Sequence, residues 1–441
     1  MMNRNLKQLM DTRLSNLRCK VDPEAVSYQA FKRTRTPFLK PAVLALTMGI
    51  SLIVAVPVMA AHLPSFQQIL GLVGDQIGVN LRPIQLVSID QGMKMEVIAA
   101  MNDDETAIVY LTLQDMEGGR IDDTVDLYDY SIQGAHMFTQ KLVAYEAEAK
   151  KATFQLLAHG AKGLNGKKVT LRLSSLLSGK QLMDHVDLAI DLQQEAARQP
   201  ATMKLDLDHI PGAGGSLLKE WKASTEMDVL QADHLKRPIP GVEMAQIVNI
   251  GFVDGRLHVK TKWKESVDDN GYLYLLSEQG EQIFSSSVTY SVDKQGNTVY
   301  GHDYIEYVFN IGPNNISKYQ LYGHFVENHN YIEGNWNTTF EMEAVDSSSL
   351  LLEGVDIGTD QLHQIKIQPL GITIVDPPAE ELDIQLIMKD GTVQKYSQAL
   401  SLTQDGDVSI KYLSELPIQI EQIAELRINQ RVILLTNHPP L

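Results

Sequence analysis

Residues Ala42 to Ala61 read AVLALTMGISLIVAVPVMAA, twenty consecutive residues without a charge. A helix rising about 1.5 Å per residue makes such a run roughly 30 Å long, the thickness of a bilayer's hydrocarbon core. Backbone groups in hydrocarbon must bond to one another, so a single membrane-spanning helix is the form this segment predicts. Thr47, Gly49, Ser51 and Pro57 are its only irregular features, and membrane helices tolerate all four types. The rest of the chain then falls on one side of the bilayer or the other.

The flanks set the direction. Lys32, Arg33, Arg35 and Lys40 crowd the N-terminal side, whereas the first basic residue beyond the segment is Arg82. The positive-inside rule makes residues 1–40 cytoplasmic and everything after the span extracellular. A cleaved signal peptide, with Val58-Met59-Ala60 as its small-residue site, is the competing reading. Forty preceding residues exceed a usual signal n-region and the apolar run has full membrane length, which favours a retained anchor in the cell membrane.

Charge follows the same division. Residues 1–40 carry nine Lys or Arg against three acids, while the rest of the chain carries 29 basic and 52 acidic residues. An acidic globular body excludes nucleic acid as an expected partner, because phosphate recognition needs clustered Lys and Arg. The one cysteine, Cys19, lies in the tail, so the outer part can hold neither a disulfide nor a thiolate zinc site. No cofactor is expected.

In the tail, Leu6, Leu9, Met10, Leu14 and Leu17 recur at helical spacing and form one apolar stripe, with Arg4, Lys7, Arg13 and Arg18 mostly off it. Forty residues cannot bury a core of their own, so the stripe needs a partner. A groove on a cytoplasmic protein and an anionic lipid surface fit it equally.

Beyond the span, Phe66, Ile69, Leu70, Val73 and Ile77 lie on one face of a juxtamembrane helix within 62–80. From Arg82 the period changes from 3.6 to 2. MKMEVIAAM and TAIVYLTL flank the turn Asn102-Asp103-Asp104-Glu105, a hairpin pattern. KKVTLRLSSL and VDLAIDL read as two further strands separated at Gly179-Lys180, and the polar stretch Gln193 to Pro200 reads as a boundary. AQIVNIGFV, Asp254-Gly255 and RLHVKTKW give strand, type I′ turn, strand, faintly echoing the first hairpin. YQLYGHFV and TTFEMEAV read as separate strands, with a turn at Gly334-Asn335. Strands of short spacing and few long helices predict tandem antiparallel β-sandwich modules at 81–195, 200–345 and 346–441.

No motif with a catalytic mechanism is present: no G-x-S-x-G elbow, H-E-x-x-H, Walker loop or strand-linked G-x-G-x-x-G. His324 and His329 are close in sequence, but a five-residue gap in a strand puts them on opposite faces. Asp268-Asp269-Asn270-Gly271 lacks the spacing of a calcium loop and reads as a turn. Asp122, Asp123 and Asp126 read as a solvated acidic loop. Trp263 and Trp336 read as sheet-packing residues, while Trp221 stands in a less regular stretch that fits a core or a ligand platform.

The layout resembles a family of membrane-anchored proteins of low-GC Gram-positive bacteria, with an extracellular domain of unknown function and frequent encoding beside extracytoplasmic-function sigma factors. The resemblance rests on Pro57-Val58-Met59-Ala60 at the end of the apolar helix. It rests also on Gly92-Met93-Lys94-Met95-Glu96-Val97 with the Asp103-Asp104 turn and Tyr110, and on Ile332-Glu333-Gly334-Asn335-Trp336 with Phe340. Gln368-Pro369-Leu370-Gly371-Ile372 completes it. The resemblance implies an anti-sigma factor: the tail restrains an extracytoplasmic-function sigma factor until the outer part senses the envelope. The chain lacks the His-x3-Cys-x2-Cys zinc motif of one anti-sigma group and the Asn-Pro cleavage dipeptide of another. The sigma contact would therefore use the stripe from Leu6 to Leu17. The alternative is a surface protein, not an enzyme, that binds a cell-envelope component while its tail only orients it in the membrane.

Overall fold

A computed structural model describes residues 64–73, 80–159, 164–232, 235–342, 349–358, 361–378, 382–404, 407–429 and 431–435. The tail stripe and the apolar segment lie outside the described residues. Among those described, no helix is long and apolar enough to cross a membrane. The architecture is mainly β, in several antiparallel sheets.

The first module contains β1 (Arg82–Asp90), β2 (Met93–Asn102), β3 (Thr106–Asp115), β4 (Asp126–Ile132), β5 (Met137–Glu146), β6 (Lys151–His159) and β7 (Lys167–Asp187). One sheet runs in the order β1-β2-β3-β6-β5. Met93, Met95 and Val97 on β2 and Val109, Leu111 and Leu113 on β3 alternate inward. They face Val169, Leu171 and Leu173 of β7. Burying each such side chain contributes about 1.5–3 kcal/mol, so the two-residue period dictates which face turns inward.

The second module adds β8 (Thr202–Asp206), β9 (Gly212–Gly214), β10 (Glu226–Leu230), β11 (Arg237–Ile239), β12 (Val242–Val253), β13 (Arg256–Trp263), β14 (Asn270–Ser277), β15 (Gln282–Phe284), β16 (Ser286–Val292), β17 (Thr298–Phe309) and β18 (Tyr319–Met342). Its central sheet, β11-β12-β13-β17-β16-β9, is covered on both faces. On one face Ile247, Val259 and Phe309 pack on Leu273, Leu275, Leu321 and Phe325. On the other, Val248, Val288 and Tyr290 meet Leu205, Val229 and Trp221. Asp254 and Gly255 both have positive φ, 48° and 75°, as a type I′ turn requires.

The third module is a sandwich of β19 (Leu350–Asp356), β20 (Gln361–Gln368), β21 (Gly371–Val375), β22 (Ile384–Met388), β23 (Val393–Gln394), β24 (Tyr396–Gln404), β25 (Asp407–Ser414), β26 (Ile423–Ile428) and β27 (Arg431–Leu434). The sheets β19-β20-β21-β25-β24 and β23-β22-β26-β27 enclose Ile365, Ile367, Ile372, Leu386, Leu426 and Ile428.

Two expectations fail on one feature. Gly179-Lys180 and Gly334-Asn335 do not end strands: β7 is 21 residues long and β18 is 24, and the two pair antiparallel over most of their lengths. At about 3.3 Å per residue, β18 extends roughly 80 Å. It sits in the sheet β15-β14-β18-β7-β4, which contributes to both the first and the second sandwich. Its inward residues are Leu321 and Phe325 in the second core, then Ile332, Trp336, Phe340 and Met342 in the first. Phe325 and Ile332 differ in parity with no register shift between them, so the strand gives opposite faces to the two cores; shifts lie on either side, between Gly323 and Phe325 and between Glu333 and Trp336. Gly334 is required at the second shift, since a Cβ there would lie 2.3 Å from the Trp336 ring. Gly334 is thus a bulge residue in a continuous ribbon, while Gly179 lies within the regular β7–β18 ladder at a φ of 68°. VDLAIDL forms no strand of its own; only Val186 and Asp187 belong to β7.

Of the helix expected within 62–80, Pro64–Val73 is present as α1, with Phe66 and Ile69 buried against the first module; Ile77 lies outside the described residues. The supposed patternless boundary contains a short helix, α2 (Leu192–Ala196), whose N-terminus is capped by Asp191 accepting from the Gln193 and Gln194 N–H groups. One turn with a single apolar anchor, Leu192, is too brief to show a period.

Candidate functional site

The β2–β3 turn was expected as a hairpin, and it is one, but of its three acids only Asp104 is exposed. Asp103 is fully buried and reaches across to the third module. Lys411 of β25, itself buried, donates to Asp103 Oδ2 at 2.8 Å and Oδ1 at 3.1 Å. The Leu370 N–H donates to Oδ2 at 3.1 Å, and the Thr106 N–H to Oδ1 at 2.9 Å. Gln368 Nε2 donates to the Asp103 carbonyl at 2.6 Å, while its Oε1 accepts from Lys411 at 3.3 Å. Desolvating two charges costs several kcal/mol each, and only saturated hydrogen bonding of this kind makes the pair tolerable.

A second pair lies beside it. Lys366 of β20 donates to Glu105 at 2.6 Å, and Thr373 Oγ of β21 donates to its other oxygen at 3.3 Å. Burial pushes the Glu105 carboxyl up, but Lys411 and Lys366 more than offset this and leave it below its usual range. His159, at the end of β6, has Nδ1 2.9 Å from Thr106 Oγ. Burial lowers its pKa, and the Lys411 ammonium acts in the same direction. Gly371 lets the β20–β21 corner approach: its φ is 153°, and a Cβ would lie 2.1 Å from the Tyr412 carbonyl oxygen.

The same joint receives α1. Phe66 and Ile69 share a cluster with Ile98, Met101 and Tyr110 of the first module and with Leu370 of the third. Gln68 adds polar anchors, donating to Glu146 and accepting from Lys151, both at 2.6 Å. The residue whose N–H is held by Asp103 therefore also forms part of the seat of α1. Hydrogen bonds, ion pairs and one apolar contact bring three parts of the chain together there.

Elsewhere the candidate residues have structural partners. His324 Nδ1 is bonded to Asp184, and His329 Nε2 lies 3.2 Å from Gln181 Oε1. No group of three or more potential metal ligands occurs among the described residues. Asp122 accepts from Thr124, Ser178 and the Gly179 N–H. Asp269 accepts from the Asn328 N–H at 2.8 Å. Trp263, Trp336 and Trp221 are all in cores, which decides the reading of Trp221. A concavity of about 120 Å³ lined by Arg82, Ile84, Glu341 and Met342 is below the roughly 300 Å³ that drug-sized ligands need. Leu6, Leu9, Met10, Leu14 and Leu17 lie outside the described residues, so nothing here bears on them.

Two other clusters stand out. Inside the second module, Glu306 accepts from the Leu230 N–H and from Tyr290, with His258 Nδ1 at 2.8 Å. Lys260 lies over the Tyr290 and Tyr304 rings and donates to the Leu230 carbonyl. This network is sealed from solvent. On the outer face of the ribbon sheet, by contrast, Tyr272 stacks on His324 at 4.9 Å and His185 on Tyr322 at 4.4 Å. Phe284, 56% exposed, extends the row.

Sequence reasoning read the Asp103 turn and the Gln368–Ile372 segment separately and missed Lys411, Lys366 and His159. The local pattern gave no signal: Lys411 lies on the face of β25 opposite Tyr412, which packs on the third module's own core, and a polar residue there is what alternation allows.

No family model matches the chain, and no curated protein does. A solved structure described as the crystal structure of the conserved domain protein from Bacillus anthracis aligns with 83% of this chain and 94% of its own. The identity is 10% and the TM-score 0.22, a likeness too slight to carry an argument.

Proposed function

We propose that the described residues form the outer, sensing part of a single-pass membrane regulator of the anti-sigma-factor type. The observation that carries this reading is the seat of α1. The helix that follows the candidate membrane segment packs where the first and third modules join. A rearrangement of that joint would alter the constraint on α1, and through it on the membrane segment and tail. A helix anchored to one module only would offer no such coupling.

The test uses the full-length protein in its own membrane. An extracytoplasmic-function sigma factor should co-purify with it and be lost when Leu6, Met10 and Leu14 are each changed to Asp. Unchanged recovery and unchanged target transcription in that variant would sink the proposal.

A second reading, binding of a cell-envelope component, is favoured by the exposed row of Tyr272, His324, Tyr322, His185 and Phe284. It predicts that deleting residues 2–30 leaves function intact, whereas replacing Tyr272 and Phe284 by Ala abolishes attachment.

A further inference from the structure

We infer that the joint between the first and third modules is an acid-released latch, closed near neutral pH and opened reversibly as the medium acidifies. The inference concerns the joint alone and holds whether or not the tail binds a sigma factor.

The geometry makes the third module separable. The first and second modules share the continuous strands β7 and β18, so neither can leave the other without breaking a sheet. The third module instead meets the first through side chains: Lys411, Gln368, Lys366 and Thr373 on one side, Asp103 and Glu105 on the other. Leu370 is its contribution to the apolar cluster around α1. Polar contacts between separately cored modules are the kind that open and close.

The charges give the joint its pH dependence. The titratable groups around His159 are Asp103 and Glu105 on the β2–β3 turn, Lys411 on β25 and His136 on the β4–β5 turn. Lys411 belongs to the departing module, while Asp103, Glu105 and His136 stay with His159. Opening therefore removes a cation that disfavours protonation and keeps both anions that favour it. Glu105 behaves alike, because Lys411 and Lys366 both leave with the third module. Each group binds its proton more readily when the joint is open, so falling pH favours opening. His159 acts from its ordinary value near 6.5 downward, and Glu105 from near 4.5 downward. Each proton changes the open-to-closed ratio by at most about tenfold per pH unit.

The experiment measures the distance between the modules in the full chain, with Cys19→Ser and spin labels at Lys141→Cys and Glu415→Cys, both exposed. One narrow distance distribution is expected at about pH 8, and a second, longer one is expected to grow toward about pH 5 and vanish on return. His159→Gln should shift the onset down toward the range of Glu105. Lys366→Gln should raise the open fraction throughout, and this residue is exposed enough for the variant to fold. An unchanged distance across the range would overturn the latch. So would an onset unaffected by His159→Gln, or opening that coincides with loss of the Trp336 environment, which would be global acid unfolding.

Discussion

The molecule joins its modules in two different ways. Between the first and second, two strands run through unbroken, and Trp336 at one end and Phe325 at the other belong to different cores on the same strand. Between the first and third, no strand is shared, and the β2–β3 turn presents the Asp103 and Glu105 carboxylates to a partner that supplies lysines. The ribbon joint is built of backbone hydrogen bonds that cannot be exchanged for water without unfolding. The side-chain joint is built of ion pairs, each half of which water can solvate once they part. One joint holds a rigid body together; the other is suited to two states.

Trp336→Ala tests the ribbon most severely. The ring is fully buried and its Nε1 donates to the Met93 carbonyl at 2.9 Å, so the loss should be about 3–5 kcal/mol. Calorimetry should show the first and second modules melting together at lower temperature, with the third unmoved. Separate melting of the first two would break the claim that the ribbon couples them.

Lys411→Met should cost about 3 kcal/mol of docking, because it strands the Asp103 carboxylate in a buried site. Hydrogen exchange should rise in α1 and β21 while β13 keeps its protection. If β13 loosens equally, the joint is part of one cooperative unit and the contrast fails.

Glu306→Gln provides the control. It disturbs a buried network confined to the second module and should cost about 1–3 kcal/mol of stability without raising exchange in α1. Any opening of the third module in that variant would show that the joints are not independent.

Asp191→Ala removes the cap of α2, worth about 1 kcal/mol locally. The melting temperature of the first two modules should fall slightly, and the distance between the first and third should not change.

The contrast between the joints also explains what could be read in advance. The hairpins β2–β3 and β12–β13 echo each other in sequence, and both formed, because alternation and turn chemistry are local. Their turns then diverge: Asp254-Gly255 caps its hairpin, whereas Asp103 is buried against another module. Nothing within either hairpin distinguishes the two outcomes. Gly334 misled for a related reason: before a Trp two residues on, a glycine can end a strand or seat the ring within one, and the neighbouring strand decides.

By itself the sequence determined the class of structure, since a two-residue hydrophobic period leaves a strand one way to face its core. It determined the strand–turn–strand units and the apolar face of α1 as well, all set by residues within a few positions of each other. The tertiary structure decided the rest. Lys260 finds Glu306 across the register of adjacent strands, but Lys411 finds Asp103 over 308 positions of chain. A charge in a strand is solvated or buried according to what the rest of the chain brings against it. Two separately folded modules had to meet before Asp103 could become anything more than a turn residue.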